Sequence, residues 1–139
     1  MSFTAFQQQL LELMNGVSVE EYTFVAKDFA GTAAWTEEIT GPAGLRGRVL
    51  GVHVFQVSEV FAAGDADASV QVGDGSDADL YALTANITAV AVGSDVRPAV
   101  TLGATPTIPA DATVTITGVQ GSTPTTGIAN VKVTIAWFL

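Results

Sequence analysis

The feature of this sequence that most limits its folding is its punctuation. From about residue 17 onward, segments of Val, Thr, Ile and aromatic residues are broken by turn-forming clusters: Gly41-Pro42 with Gly44, Gly64-Asp65, Gly73-Asp74-Gly75, Pro106 with Pro109-Ala110-Asp111, and Gly121-Ser122-Thr123-Pro124. Glycine reaches backbone angles other residues avoid, proline withholds an N–H, and Asp and Ser bond their own backbone, so each cluster ends an element. The intervening segments predict strands over 21–27, 32–40, 48–60, 67–73, 80–85, 87–92, 97–103, 112–119 and 128–138. That many short strands define a mainly β chain folded as an antiparallel sandwich.

The last segment is the clearest. Ala129, Val131, Val133, Ile135 and Trp137 alternate with Asn130, Lys132, Thr134 and Ala136, so one face is apolar and the other mild, as in a paired or central strand. The segment from Arg48 to Val60 has Val49, Leu50, Val52, Val54, Phe55 and Val57, apolar on both faces, and predicts a long strand covered on both sides.

Ahead of the strands, Phe3, Phe6, Leu10, Leu13 and Met14 recur near a helical period, with Ser2 as N-cap and Asn15-Gly16 as stop. An amphipathic helix of about three turns is marginal alone in water, so it docks on its own domain or on a neighbour. The chain therefore divides into an N-terminal helix or arm over 1–16 and a β-sandwich domain over 17–139, a length that buries a full core.

Only 14% of residues are charged, against 48% hydrophobic, with a mean hydropathy of +0.41. An ordinary soluble domain is about 25% charged. Much of the surface is therefore uncharged, and contact with other protein copies is its simplest use. No apolar run approaches the roughly 18 residues of a membrane span, and the first residues lack a basic signal-peptide region. The net charge of −9 disfavours nucleic acid, whose binding rests on a basic footprint. With no cysteine, thiol catalysis and thiolate metal sites are excluded.

Chemistry-bearing constellations are sparse. Asp65, Asp67, Asp74, Asp77 and Asp79 place carboxylates in turns, and Asp74, Asp77 and Asp79 are the candidates for Ca²⁺. They lack the EF-hand order and its closing Glu, so solvated turn residues are the simpler reading and no cofactor is expected. A glycosidase pair needs two carboxylates flanking a cleft, which turn aspartates do not establish. The single histidine, His53, lies in an apolar run and cannot alone furnish a triad or a multi-histidine metal site; it reads as a core or interface residue. Arg46, Arg48 and Arg97 are three of the five cations and suit pairing with a partner's acids or plain solubility. Trp35, with Tyr22 and Tyr81, offers either a sugar-stacking face or core rings. The candidate interface residues are thus Phe3, Phe6, Leu10, Leu13, Trp35, Arg46, Arg48 and His53, and no enzymatic role is expected.

The segments VQVGDGSDADLYAL and IPADATVTITGVQGSTPTTGIANVKVTIAWF resemble small virion proteins of tailed bacteriophages, in particular the head decoration (cement) proteins, over about residues 45–139. The resemblance lies in the Val-x-x-Gly-Asp-Gly strand and turn, the Ile-Pro-Ala lead into a strand, the Thr-Pro turn and the terminal strand ending in Trp-Phe. It implies a jelly-roll-like sandwich, usually a homotrimer, bound to the major capsid protein on the outer surface of a virion assembled in the host cytoplasm. The alternative in the binding-module class is a head-fibre or tail adhesin domain that holds host glycans on aromatic and Asp-bearing loops.

Overall fold

The computed structural model describes residues 17–30, 34–61, 68–120 and 126–139. The helix expected over 2–14, and with it Phe3, Phe6, Leu10 and Leu13, lies outside them. Eight strands follow in chain order: β1 (Ser18–Asp28), β2 (Trp35–Thr40), β3 (Arg46–Glu59), β4 (Ser69–Gly73), β5 (Ala82–Thr84), β6 (Val100–Leu102), β7 (Thr113–Val119) and β8 (Ile128–Phe138). The expected strand over 87–92 does not form. Its only ladder contact is a bridge between Val90 and Phe61.

The strands make a three-stranded sheet, β1-β8-β3, and a five-stranded sheet, β2-β7-β4-β5-β6, antiparallel throughout. The order is that of a long hairpin rolled up. β1 pairs with β8, β2 with β7 and β4 with β5, while β3 meets the stretch ahead of β6 through the Val54–Val96 bridge. Successive pairs fall in alternate sheets, which is the jelly-roll arrangement of a β-sandwich. On the opposite, open side, Lys27 of β1 and Glu37 of β2 form an ion pair across the sheets.

The core follows from period-two alternation in β7 and β8. Val114 and Ile116 from one sheet face Ala129, Val131, Val133, Ile135 and Trp137 from the other, all buried. Each large aliphatic or aromatic side chain so placed contributes about 1.5–3 kcal/mol. Trp137 plugs one end of the sandwich. Gly41 and Gly47 lie flat against its ring, where a β-carbon would collide with it. The indole Nε1–H donates to the Tyr22 hydroxyl at 3.0 Å, and that hydroxyl donates to Glu20 Oε2 at 2.7 Å.

β3 departs from the expected double covering. Its core-facing residues are Val49, Val52, Val54 and Val57, spaced three, two and three, because the ladder to β8 slips between Val49 and Gly51 and again between Phe55 and Glu59. The first slip is a bulge that turns Leu50 outward, where it is 55% exposed. The run looked apolar on both faces because two irregularities change which parity points inward.

β1 slips at the matching level, between Phe24 and Lys27. Ala26 and Gln56, one in each irregularity, adopt left-handed φ angles of 52° and 47°. Both are held by one side chain on the strand between them: Asn130 Oδ1 accepts from the Ala26 N–H at 2.9 Å, and Asn130 Nδ2 donates to Gln56 Oε1 at 2.6 Å.

Two outcomes follow. Asn130→Ala removes both bonds and lowers unfolding free energy by about 1–2 kcal/mol, read as a drop in the urea midpoint at unchanged slope. Burial first, and then the hydrogen bond to Glu20, push the Tyr22 phenol from 10.0 up to about 12. A raised acid pKa means that the folded state resists ionisation, so this contribution is complete below pH 10.0 and is lost as pH rises through about 12. Melting temperatures across that window fall less steeply for Tyr22→Phe than for the unmodified chain.

Candidate functional site

The outward positions of β1, β8 and β3 carry three of the five cations of the chain, Arg46, Arg48 and Lys132. Cross-strand register stacks them in rows: Val19, Ala136 and Arg48; Glu21, Thr134 and Gly51; Thr23, Lys132 and His53; then Asn130 with Phe55. Above them Arg46 opposes Phe138, its guanidinium 5.2 Å from the ring and donating to the Leu139 carbonyl at 2.6 Å. Below the irregularities the row turns to Asp28, Ile128 and Glu59, so the Asn130 level bounds the basic part of the face.

A continuous network crosses this surface. Lys132 Nζ lies 3.3 Å from Glu21 Oε2 and 5.3 Å from the Phe55 ring centre. Phe55 stacks on His53 at 5.1 Å, and His53 Nε2 sits 2.7 Å from Asp95 Oδ2. Arg97 Nη1 stands 3.9 Å from the same oxygen. The hydrogen bond from His53, ahead of the weaker pulls of His53 and Arg97 charge, holds the Asp95 carboxyl below the ordinary aspartate range. Beside the network, Leu50, Gly51, His53, Arg97, Val100 and Thr134 line a shallow pocket of about 300 Å³.

Exposed ion pairs of this kind contribute about 0.2–1 kcal/mol each, so folding alone gives little reason for the network. Apolar side chains accompany it: Val19 is 57% and Val25 68% exposed on the same sheet. Mixed cations, an aromatic ring and exposed aliphatics make a surface suited to docking protein, where arginine and aromatic residues are enriched.

The structure therefore brings together three of the candidate interface residues, Arg46, Arg48 and His53, on one face. Trp35 goes elsewhere. Its ring turns toward the core at the sandwich edge, edge-on to Phe29 at 5.5 Å and under Lys27 at 5.4 Å, and its buried Nε1–H has no hydrogen-bond partner among the described residues. Tyr81 is buried and Tyr22 points inward to Trp137, so the three rings share no exposed sugar-stacking platform.

Asp74, Asp77 and Asp79 lie in the β4–β5 connection. Asp74 Oδ1 accepts from the Ser76 and Asp77 N–H groups at 2.8 and 2.7 Å, which holds its carboxyl below the ordinary range. The Asp77 carboxyl is raised, first by hydrogen bonding with Asp79. Among the described residues no group of three or more His, Asp or Glu is arranged to hold a metal ion.

Sequence reasoning missed Lys132, Glu21, Phe55 and Asp95. The outward parity of Lys132 was readable from β8, but the register that sets it beside Phe55 and Glu21 was not.

No family model and no curated protein matches the chain. A solved structure titled "Cyanophage Pam1 capsid asymmetric unit" contains a similar chain, with 21% sequence identity over 88% of this chain and 83% of that one, at a TM-score of 0.43. That neighbour is a phage capsid component; at this TM-score the likeness carries no role across.

The network predicts a local titration. By carbon-detected NMR the Asp95 carboxyl titrates below 3.8, and in His53→Ala, which removes its hydrogen-bond partner, its midpoint moves upward.

Proposed function

We propose that this chain is a non-catalytic virion structural protein that decorates and stabilises a bacteriophage capsid from its outer surface. The observation that carries this reading is the outward face of β1, β8 and β3, where exposed Val19, Val25 and Leu50 surround cations on a chain otherwise acidic and sparingly charged. Such a face supports lasting contact with protein, and the strand and turn segments that resemble head decoration proteins give that contact a setting. The partners in this reading are the major capsid protein and further copies of the chain, as a homotrimer on a particle assembled in the host cytoplasm.

The mechanism is linkage. A protein that binds the assembled, expanded shell and not its free subunits stabilises the shell by its binding free energy. Repeated over many sites and reinforced by multivalent attachment, modest single contacts resist the pressure of a packaged genome. The acidic remainder keeps the decorated particle soluble. The glycan-binding alternative loses its support, because Trp35, Tyr22 and Tyr81 do not form a common exposed face.

Purified chain added to expanded shells of the cognate capsid binds saturably and raises their melting temperature. Absence of binding at micromolar concentration, measured by co-sedimentation, rejects the decoration role.

A further inference from the structure

The cations of this chain are segregated. Four of the five, Arg46, Arg48, Arg97 and Lys132, lie on or beside the outward face of β1, β8 and β3, with two carboxylates, Glu21 and Asp95, among them. The patch is therefore formally +2 with His53 neutral. The remainder of the chain sets Lys27 against twelve carboxylates, formally −11, which closes to the net −9.

Part of that opposite charge is uncompensated in one place. The β4–β5 turn carries Asp74, Asp77 and Asp79, none of which pairs with a cation among the described residues. Asp77 and Asp79 instead crowd each other. On the basic face, Arg48 likewise makes no ion pair among the described residues. Arg97, at 73% exposure, reaches Asp95 only at 3.9 Å. Among the described residues no ion pair joins the turn to the basic face within one copy, which leaves both available to meet across copies. Two basic faces meeting each other would oppose like charges, which disfavours a twofold dimer through this surface.

We propose that the basic face of one copy receives the Asp74–Asp79 turn of a second copy, head to tail, with the pocket between Leu50 and Arg97 as the point of entry. This rests on the reading of the chain as a self-assembling structural protein and names the surfaces its copies use. A head-to-tail contact repeats, and it closes into a ring when its rotation divides the circle. The repulsion between copies of net charge −9 is screened beyond about 8 Å at physiological ionic strength, whereas apposed charges within the contact are screened far less.

Sedimentation velocity of four chains tests this: the unmodified protein, the face variant Arg48→Glu/Arg97→Glu, the turn variant Asp77→Lys/Asp79→Lys, and the chain carrying all four substitutions. The substituted side chains are at the surface, and Asp74 is left in place because it holds the turn, so circular dichroism should match throughout. The unmodified chain associates, and raising ionic strength weakens it. Each double variant associates at least about tenfold more weakly, as two attractive contacts become repulsive, and the four-site variant recovers association because its charges are exchanged. An unmodified chain that stays monomeric overturns the proposal, as does an assembly indifferent to either reversal or a four-site variant that remains apart. Capsid binding is read separately: shells bound by a monomeric or charge-indifferent chain reject this contact and keep the decoration role, whereas charge-dependent assembly without shell binding does the reverse.

Discussion

Two strands flanking a common neighbour cannot both change register at one level unless that neighbour absorbs the disturbance. Asn130 does so here. Its amide oxygen satisfies the Ala26 N–H on one side and its nitrogen grips Gln56 on the other, at the residue of each flanking strand that has a left-handed backbone. A carboxamide offers both a donor and an acceptor on one short stem, which is what two bulges on opposite flanks require. Without the slip at Gln56 and the separate bulge at Leu50, β3 would keep strict parity, and Val49 and Val57 could not both reach the core with Val52 and Val54.

The separate bulge at Leu50 shapes the outward face. By throwing Leu50 out of the ladder and letting Gly51 follow, the first bulge opens the floor of the pocket next to Thr134 and leaves room for the segment carrying Asp95 and Arg97 to lie against His53. Below Asn130 the sheet surface changes sign, to Asp28 and Glu59. Core packing and surface chemistry thus both follow from local departures from regular pairing.

Where alternation was strict, it was legible. β8 shows every buried residue at the expected parity from Ala129 to Trp137, and its central place followed from that pattern. β3 was not legible in the same way, because a spacing of three, two and three imitates a strand apolar on both sides. The 87–92 segment had strand-like composition, yet only Val90 found a partner; composition does not supply a neighbour. Arg48 and His53 were readable as candidates because cations and histidine are rare here. Their association with Lys132, Glu21 and Asp95 depends on contacts across strands and on a loop distant in sequence, and no local pattern encodes those. Trp35 stayed open between an exposed ring and a core ring because Thr36, Glu37 and Glu38 beside it look solvated. In fact β2 alternates, placing Trp35, Glu37 and Ile39 on the inward side opposite Gly118, Ile116 and Val114.

The pairing of β1 with β8 has a consequence in time. Ser18 finds its partner in Trp137, so the first strand of the sandwich emerges from synthesis long before the strand that completes it. Until then β1 has neither ladder neighbour nor core, and its valines are available to any other nascent chain. Topologies whose contacts are this distant in sequence fold slowly and stay exposed to aggregation while they do. Once β8 is in place, the left-handed kink at Ala26 interrupts β1 near its end, so this edge strand of the finished sheet presents no long flat row of unpaired backbone groups.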